Sequence, residues 1–345
     1  MKRFFYFLAA ATLIMSSIAP AQAQDRSSRG TIIINGKELD IDKYAEIIEQ
    51  AAETVEKTME EVAKTMEETA KSIEKNADIK INDRGDQRLR GSGNIITESR
   101  LVPADYHAVV TSRAIKVTLE DRTGTTAIIR ADDNVMPYIK IEDRNGVLNI
   151  KIDDEIRSIN SMTAEVRLPK STDISRLEAT SASHIDVDYT IQSAKLNIAA
   201  SSAADINISK ADVTNCIIDA SSAANVKGSI KATECYINAS SAANTKIQIL
   251  ANTCYADASS AADITLSGEA GTLDLEASSA ADINAVDVRS LVNASASASS
   301  GADIKVHAGK ALSASASSGG TVHYKSDHDV NIHIKKSSGG SVRKM

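Results

Sequence analysis

The chain of 345 residues has no Trp, only three Phe and only eight Tyr, so a globular core built on large aromatic side chains is not available to it. Basic patches are also missing: the net charge of −7 becomes −9 once Lys2 and Arg3 are set aside. That balance argues against nucleic acid and anionic membranes as partners, since both are held by clustered Lys and Arg. Beyond the first residues no stretch is apolar enough to cross a bilayer, which takes about 20 residues. The sequence contains no Gly-x-Ser-x-Gly elbow and no phosphate-cradling glycine loop, and its many serines single out no nucleophile. What the chain has instead is Ala and Ser crowded into its second half, with medium aliphatics between them. Such residues suit the thin column inside a solenoid.

Lys2 and Arg3 precede an apolar run from Phe4 to Ile14, and Ala21-Gln22-Ala23 matches a signal-peptidase site. Residues 1–23 therefore read as an export signal, with Gln24 as the mature N-terminus and no cysteine beside it to carry a lipid. About 320 residues remain, enough for two ordinary domains or one elongated repeat body. Residues 24–90 read as a hairpin, a helix and a linker. Thr31-Ile-Ile-Ile34 meets an Asn35-Gly36 turn, which predicts a hairpin reaching Asp40. Residues 43–77 lack Pro and Gly and are rich in Glu, Lys, Ala and Met, predicting one long helix. Ile48, Ala52, Val55, Met59, Val62, Met66 and Ile73 repeat at nearly 3.5 residues, with Thr69 in the polar slot. This helix either pairs copies of the chain or lies along the solenoid as a cap. Arg84-Gly85-Asp86 is known from integrin-binding proteins, but so short a motif recurs by chance and reads here as a linker turn. Strands are then expected at 107–111, 115–119, 127–131, 138–141, 147–152 and 164–168.

From Leu177 the chain repeats itself. Marker serines stand at Ser181, Ser202, Ser222, Ser241, Ser260, Ser279, Ser300, Ser318 and Ser338, at intervals of 21, 20, 19, 19, 19, 21, 18 and 20. This period is too short for helical hairpins and lacks the leucine-rich frame, which leaves a parallel β-helix from about 91 to 340. Alternation predicts Leu196, Ile198, Ala200, Ser202, Ala204, Ile206 and Ile208 inside, and Asn197, Ala199, Ser201, Ala203, Asp205 and Asn207 outside. The same register puts Ser222, Ser241 and Ser279 inside. The small Ala-Ser-Ala run in each row predicts walls that approach closely. Nine coils at one strand spacing of about 4.8 Å would span roughly 40 Å.

Cys216, Cys235 and Cys254 recur in a slot read as shared with Leu196, Leu273, Leu291 and Leu312, which makes it a core slot. Three thiols without a His in register match no zinc spacing, so buried free thiols are expected, with a link between neighbouring coils as the alternative. His307, His323, His328 and His333, with Asp327 and Asp329, likewise match no familiar ligand set. Outward, Asp205, Asn225, Asn244, Asp263, Asp282 and Asp303 hold one ladder position, three residues after each marker serine. This row is the candidate ligand-binding surface. Stacked like charges repel, so weak calcium binding at Asp263, Asp282 and Asp303 is one expectation and a solvated row of turn residues the other.

With its strand-rich opening (Ser99-Arg100-Leu101-Val102, Val147-Leu-Asn-Ile150) and tips such as Ser202-Ala-Ala-Asp-Ile-Asn207, Ser279-Ala-Ala-Asp-Ile-Asn284 and Ser300-Gly-Ala-Asp-Ile304, the chain resembles the autotransporter adhesin family known as the head GIN domain. The likeness covers 91–345 and departs from the family where Ala replaces Gly in many tips and where a long helix comes first. It implies an all-β, right-handed parallel β-helix and an adhesin-like role, and carries over no binding residue. The chain ends in Lys335-Lys-Ser-Ser-Gly-Gly-Ser-Val-Arg-Lys-Met345 without barrel-like strands, so surface placement would need another export route and periplasmic residence is equally allowed. The expected function is non-enzymatic binding of a glycan or an envelope protein, with no cofactor beyond weak calcium. The alternatives are a periplasmic structural or signalling protein acting through 43–77, possible also as a homo-oligomer contact, and a polysaccharide-processing β-helix enzyme. An enzyme of that kind needs long cleft loops and aromatic platforms that these short repeats leave little room for.

Overall fold

The computed structural model describes residues 31–34, 37–40, 57, 64, 87–326 and 330–345. The chain divides into two compact units, Met1–Asp83 and Arg84–Met345. In the first, strands Thr31–Ile34 and Lys37–Asp40 pair antiparallel with Ile34 opposite Lys37, the register that a two-residue Asn-Gly connection requires. Lys57 and Lys64 are helical, and the rest of the long helix expected over 43–77 lies outside the described residues, as do the export signal expected over 1–23 and Arg84-Gly85-Asp86. Among the described residues no helix is long and apolar enough to cross a membrane.

The second unit is a β-solenoid of about eight turns. Its regular coils are long bent strands, His184–Ala200, Asp205–Ala220, Asn225–Ala239, Asn244–Ala258, Asp263–Ala277 and Asp282–Ala298, each paired in parallel with the next. Later coils are broken into shorter strands of the same stack, from Asp303–Ala308 to Ser341–Lys344. Strand alternation buries Leu196, Ile198, Ala200, Ala204, Ile206 and Ile208 at 3% exposure or less. Ile264 and Ile283 are inside as well. Some buried slots depart from aliphatic chemistry: Thr245 stands between Val226 and Ile264, fully enclosed, with no partner for Oγ1, and Thr111 Oγ1 is likewise buried without one. A buried unpaired hydroxyl costs about 1–3 kcal/mol.

The marker serines are a correction. Ser202, Ser222, Ser241 and Ser279 are exposed, not interior. Each begins a left-handed pair: Ser202 and Ala203 have φ of 55° and 59°, and Ser241 and Ala242 have 53° and 59°. Two consecutive positive φ values make a type I′ turn, closed by Ala204 N donating to Ser201 O at 3.2 Å. The alternation resumes beyond it because the turn consumes an even number of residues. Folding the chain back this tightly brings the two walls together, and that is why Ala200 and Ala204 face each other where larger side chains stand elsewhere. Left-handed backbone costs a non-glycine residue about 1–2 kcal/mol. The tip amides offset this by bonding from coil to coil: Ala182 N donates to Ser202 O at 2.9 Å, Ala203 N to Ser222 O at 2.9 Å and Ala223 N to Ser241 O at 3.0 Å.

This ladder starts one coil earlier than the repeat. Arg113 and Ala114 have φ of 63° and 58°, and Ala114 N donates to Ser181 O at 3.0 Å. Before that point the stack is not purely parallel, contrary to the expectation of a parallel β-helix from about 91. Ala108–Thr111 pairs in parallel with Val147–Ile152, which pairs antiparallel with Ile139–Arg144. Lys116–Glu120 pairs in parallel with Ala164–Pro169, which pairs antiparallel with Thr126–Asp132, itself antiparallel to Ile95–Leu101. Antiparallel strands thus satisfy backbone groups at the start of the stack, where an open parallel edge would invite another chain.

Candidate functional site

Each type I′ tip is flanked by two outward columns of short polar side chains. The column after the tip is the one anticipated from sequence. Register brings all six of its residues together in successive coils: Asp205 opposite Asn225, Asn225 opposite Asn244, Asn244 opposite Asp263, Asp263 opposite Asp282, and Asp282 opposite Asp303. The column opens on His184, whose Nδ1 lies 3.7 Å from Asp205 Oδ2. Asn225 Nδ2 donates to Asp205 Oδ1 at 2.8 Å, and His323 Nε2 lies 3.4 Å from Asp303 Oδ2. Such contacts relieve the ends of the row and leave Asp282 in its middle.

Asp282 holds its proton more firmly than an ordinary carboxyl, first because it is partly withdrawn from water, then because Asp263 and Asp303 flank it, with Lys305 opposing. A pKa raised by folding means that the ionised side chain destabilises the fold. The cost is absent below about pH 4 and grows as pH rises through the raised value. Asp282→Asn should therefore melt above wild type at pH 7, with the gap closing at about pH 3. Thermal melts at the two pH values check this, and a variant less stable than wild type at pH 7 would show the carboxylate to be stabilising. Among the described residues no three His, Cys, Asp or Glu side chains are grouped so as to hold a metal ion.

The column before the tip was not anticipated. It runs Glu178, Ala199, Asp219, Asn238, Asp257 and Glu276 in register. Asn238 Nδ2 donates to Asp219 Oδ1 at 2.8 Å, the same amide-to-carboxylate pairing as in the other column. Here the surface is concave: Asp219, Asn238 and Asp257, with Ser221, Ser240 and Ser259, line an open cavity of about 160 Å³. Two residues back along the strands stand Tyr236 and Tyr255, opposite each other in register and 38% and 39% exposed. Their ring centroids are 4.8 Å apart and their planes 5° from parallel. The signal was in the sequence as a repeated Cys-Tyr at 235–236 and 254–255: if the Cys points in, the Tyr must point out.

The cysteines do point in. Cys216, Cys235 and Cys254 are buried, free and opposite one another in register. Hydrogen bonding from the neighbouring thiol and burial push Cys254 well above the usual thiol range, and contact with Cys216 raises Cys235 in the same way. Protonated thiols in a dry column neither bind metal nor attack disulfides readily. Their slot continues through Leu273, Ala294 and Leu312, not Leu291, which is 37% exposed. Coil Asp282–Ala298 carries one extra residue between Asn284 and Asp287 and another between Ser290 and Asn293, so its slot residue stands 21 positions after Leu273 and not 18.

The family described as "Putative auto-transporter adhesin, head GIN domain" matches this chain twice, over residues 105–229 and 217–327. No curated protein matches. Three solved structures from Parabacteroides share the fold at 18% identity. One from Parabacteroides distasonis ATCC 8503, described as a putative adhesin, has a TM-score of 0.55 and covers 75% of this chain and 100% of its own. A second from the same organism, described as a putative lipid binding protein, has a TM-score of 0.53 over 75% and 100%. A putative adhesin from Parabacteroides merdae ATCC 43184 has a TM-score of 0.52 over 75% and 99%.

Proposed function

Since the chain belongs to the auto-transporter adhesin family with the head GIN domain, we propose that it is an exported, non-enzymatic binding protein that meets its ligand through the polar columns beside its tips. The observation that carries this reading is the register. Apart from Ala199, each column repeats one acceptor or amide side chain per coil at about 4.8 Å, which suits a ligand that is itself repetitive, such as an envelope polysaccharide. Among the described residues the solenoid's interior is filled and the connections between its coils are short, which supports binding without turnover. The coils wind right-handed in this reading, as in the family, and the 1–23 segment directs export. Residues 43–77 are then an accessory segment that links copies or contacts an envelope partner.

The test is binding with product analysis. Full-length protein without the 1–23 segment is presented to arrays of bacterial and host polysaccharides and to detergent-solubilised envelope proteins, and the bound material is examined for cleavage. Retention of an intact ligand is expected. Release of shortened chains would replace the reading with an enzymatic one, and retention of nothing would remove it.

A further inference from the structure

We propose that the concavity of Asp219, Asn238 and Asp257, together with the Tyr236–Tyr255 pair beside it, is a subsite for a neutral, hydroxyl-rich saccharide. This deepens the binding reading above and rests on it, but uses the column that precedes the tips and not the Asp263–Asp282–Asp303 row. Three features select the ligand class. The first is charge. Residues 215–222, 234–241 and 253–260 contain no Lys, Arg or His, while Asp219, Glu234 and Asp257 are acidic, so phosphate, sulfate and uronate groups are repelled.

The second feature is hydrogen-bonding capacity. Asn238 has committed Nδ2 to Asp219, which orients its amide, and Asp257 makes no side-chain hydrogen bond or ion pair among the described residues. A carboxylate with both oxygens open accepts from two adjacent hydroxyls of one sugar ring. The flanking Ser221, Ser240 and Ser259 hydroxyls both donate and accept, and so adapt to either face of a polyol. The lining is polar and open, which suits a hydrated sugar better than a lipid chain.

The third feature is the aromatic pair. A centroid distance of 4.8 Å equals the spacing between coils, so the two rings stack along the solenoid axis and their faces look along it. On the far side of Tyr255 the column continues with Asp274 and Ser295, both shorter. The outer face of Tyr255 is thereby left as a ledge, about 6.6 Å along the strand from Asp257. The C–H face of a pyranose can rest on that ledge while its hydroxyls reach the carboxylate. Tyr236 stiffens the ledge from behind, since stacking holds both side chains in one rotamer.

Affinity electrophoresis of the intact protein through gels containing mannan, dextran, galactan, polygalacturonate or chondroitin sulfate tests the subsite. At least one of the three neutral polymers should retard the wild type, and neither acidic polymer should. Tyr255→Ala and Asp257→Ala should each weaken that retardation about tenfold, while Tyr255→Phe, which keeps the ring, should retain most of it and Lys210→Ala, exposed and outside both columns, should leave it unchanged. All three positions are exposed, and melts of each variant verify that the fold is intact. Retardation by a neutral polymer that survives both alanine variants would overturn the subsite and leave the binding reading standing. Retardation by the acidic polymers alone would overturn the charge argument. If none of the five polymers retards the protein the subsite falls, and the array and envelope-protein screen then decides the binding reading separately.

Discussion

Gly268→Ala should destabilise the solenoid by more than about 3 kcal/mol. Two causes act together. Gly268 has φ of +111°, where an L side chain is strained whatever the space around it, and a Cβ built there would lie 2.1 Å from Ile249 O in the coil before. That oxygen belongs to the backbone of a buried strand and cannot swing aside, so relief requires pulling apart two coils that are paired along their whole length. Gly301→Ala is the control. Gly301 also has positive φ, +75°, but a Cβ there meets nothing within 4 Å, and it occupies the tip position where Ala261 and Ala280 sit at 58° and 59° in earlier coils. Its replacement should change stability by less than about 1 kcal/mol. Urea midpoints of the two variants measure the contrast, and equal shifts would show that contact with Ile249 does not govern the effect.

Ala239→Leu should cost about 1–3 kcal/mol. Ala239 is 3% exposed and lies in the wall that the type I′ tip folds against Ala243, which is fully buried. The neighbours above and below, Ala220 and Ala258, are equally small because every coil narrows at the same place. Extra methylenes there have no adjacent gap to enter. Asn238→Leu adds similar bulk one residue away but points outward, and it loses only an exposed hydrogen bond to Asp219. Its cost should stay below about 1 kcal/mol. Thermal melts compare them directly, and similar losses would mean that the wall is looser than the tip geometry requires.

Both predictions touch on what could be read in advance. The inside positions from Leu196 to Ile208 followed from alternation alone, and so did the six-residue column from Asp205 to Asp303. A period of two tells each side chain which face it takes, and a repeat near 20 tells it which neighbours stand above and below. The serines defeated that reasoning, because the same even spacing runs through a turn as through a strand. Ser202 and Ala203 carry no local mark of left-handed backbone such as glycine would supply. They adopt it because each tip amide finds a carbonyl in the next coil, a partner about 20 residues away. Leu291 failed for a related reason: intervals of 18 to 21 show that residues are inserted but not where the bulge will form. The Tyr pair and the concavity beside Asp257 were legible only as an outward parity.

The sequence by itself determined the repeating architecture and the identity of the core, because composition and periodicity act through local geometry that every coil repeats. Only the tertiary structure decided which residues form the tips, how antiparallel strands close the start of the stack, and which of two nearly equivalent polar columns becomes concave. Those outcomes depend on contacts between coils, where a displacement of one residue changes what a side chain faces without changing the period that betrays it.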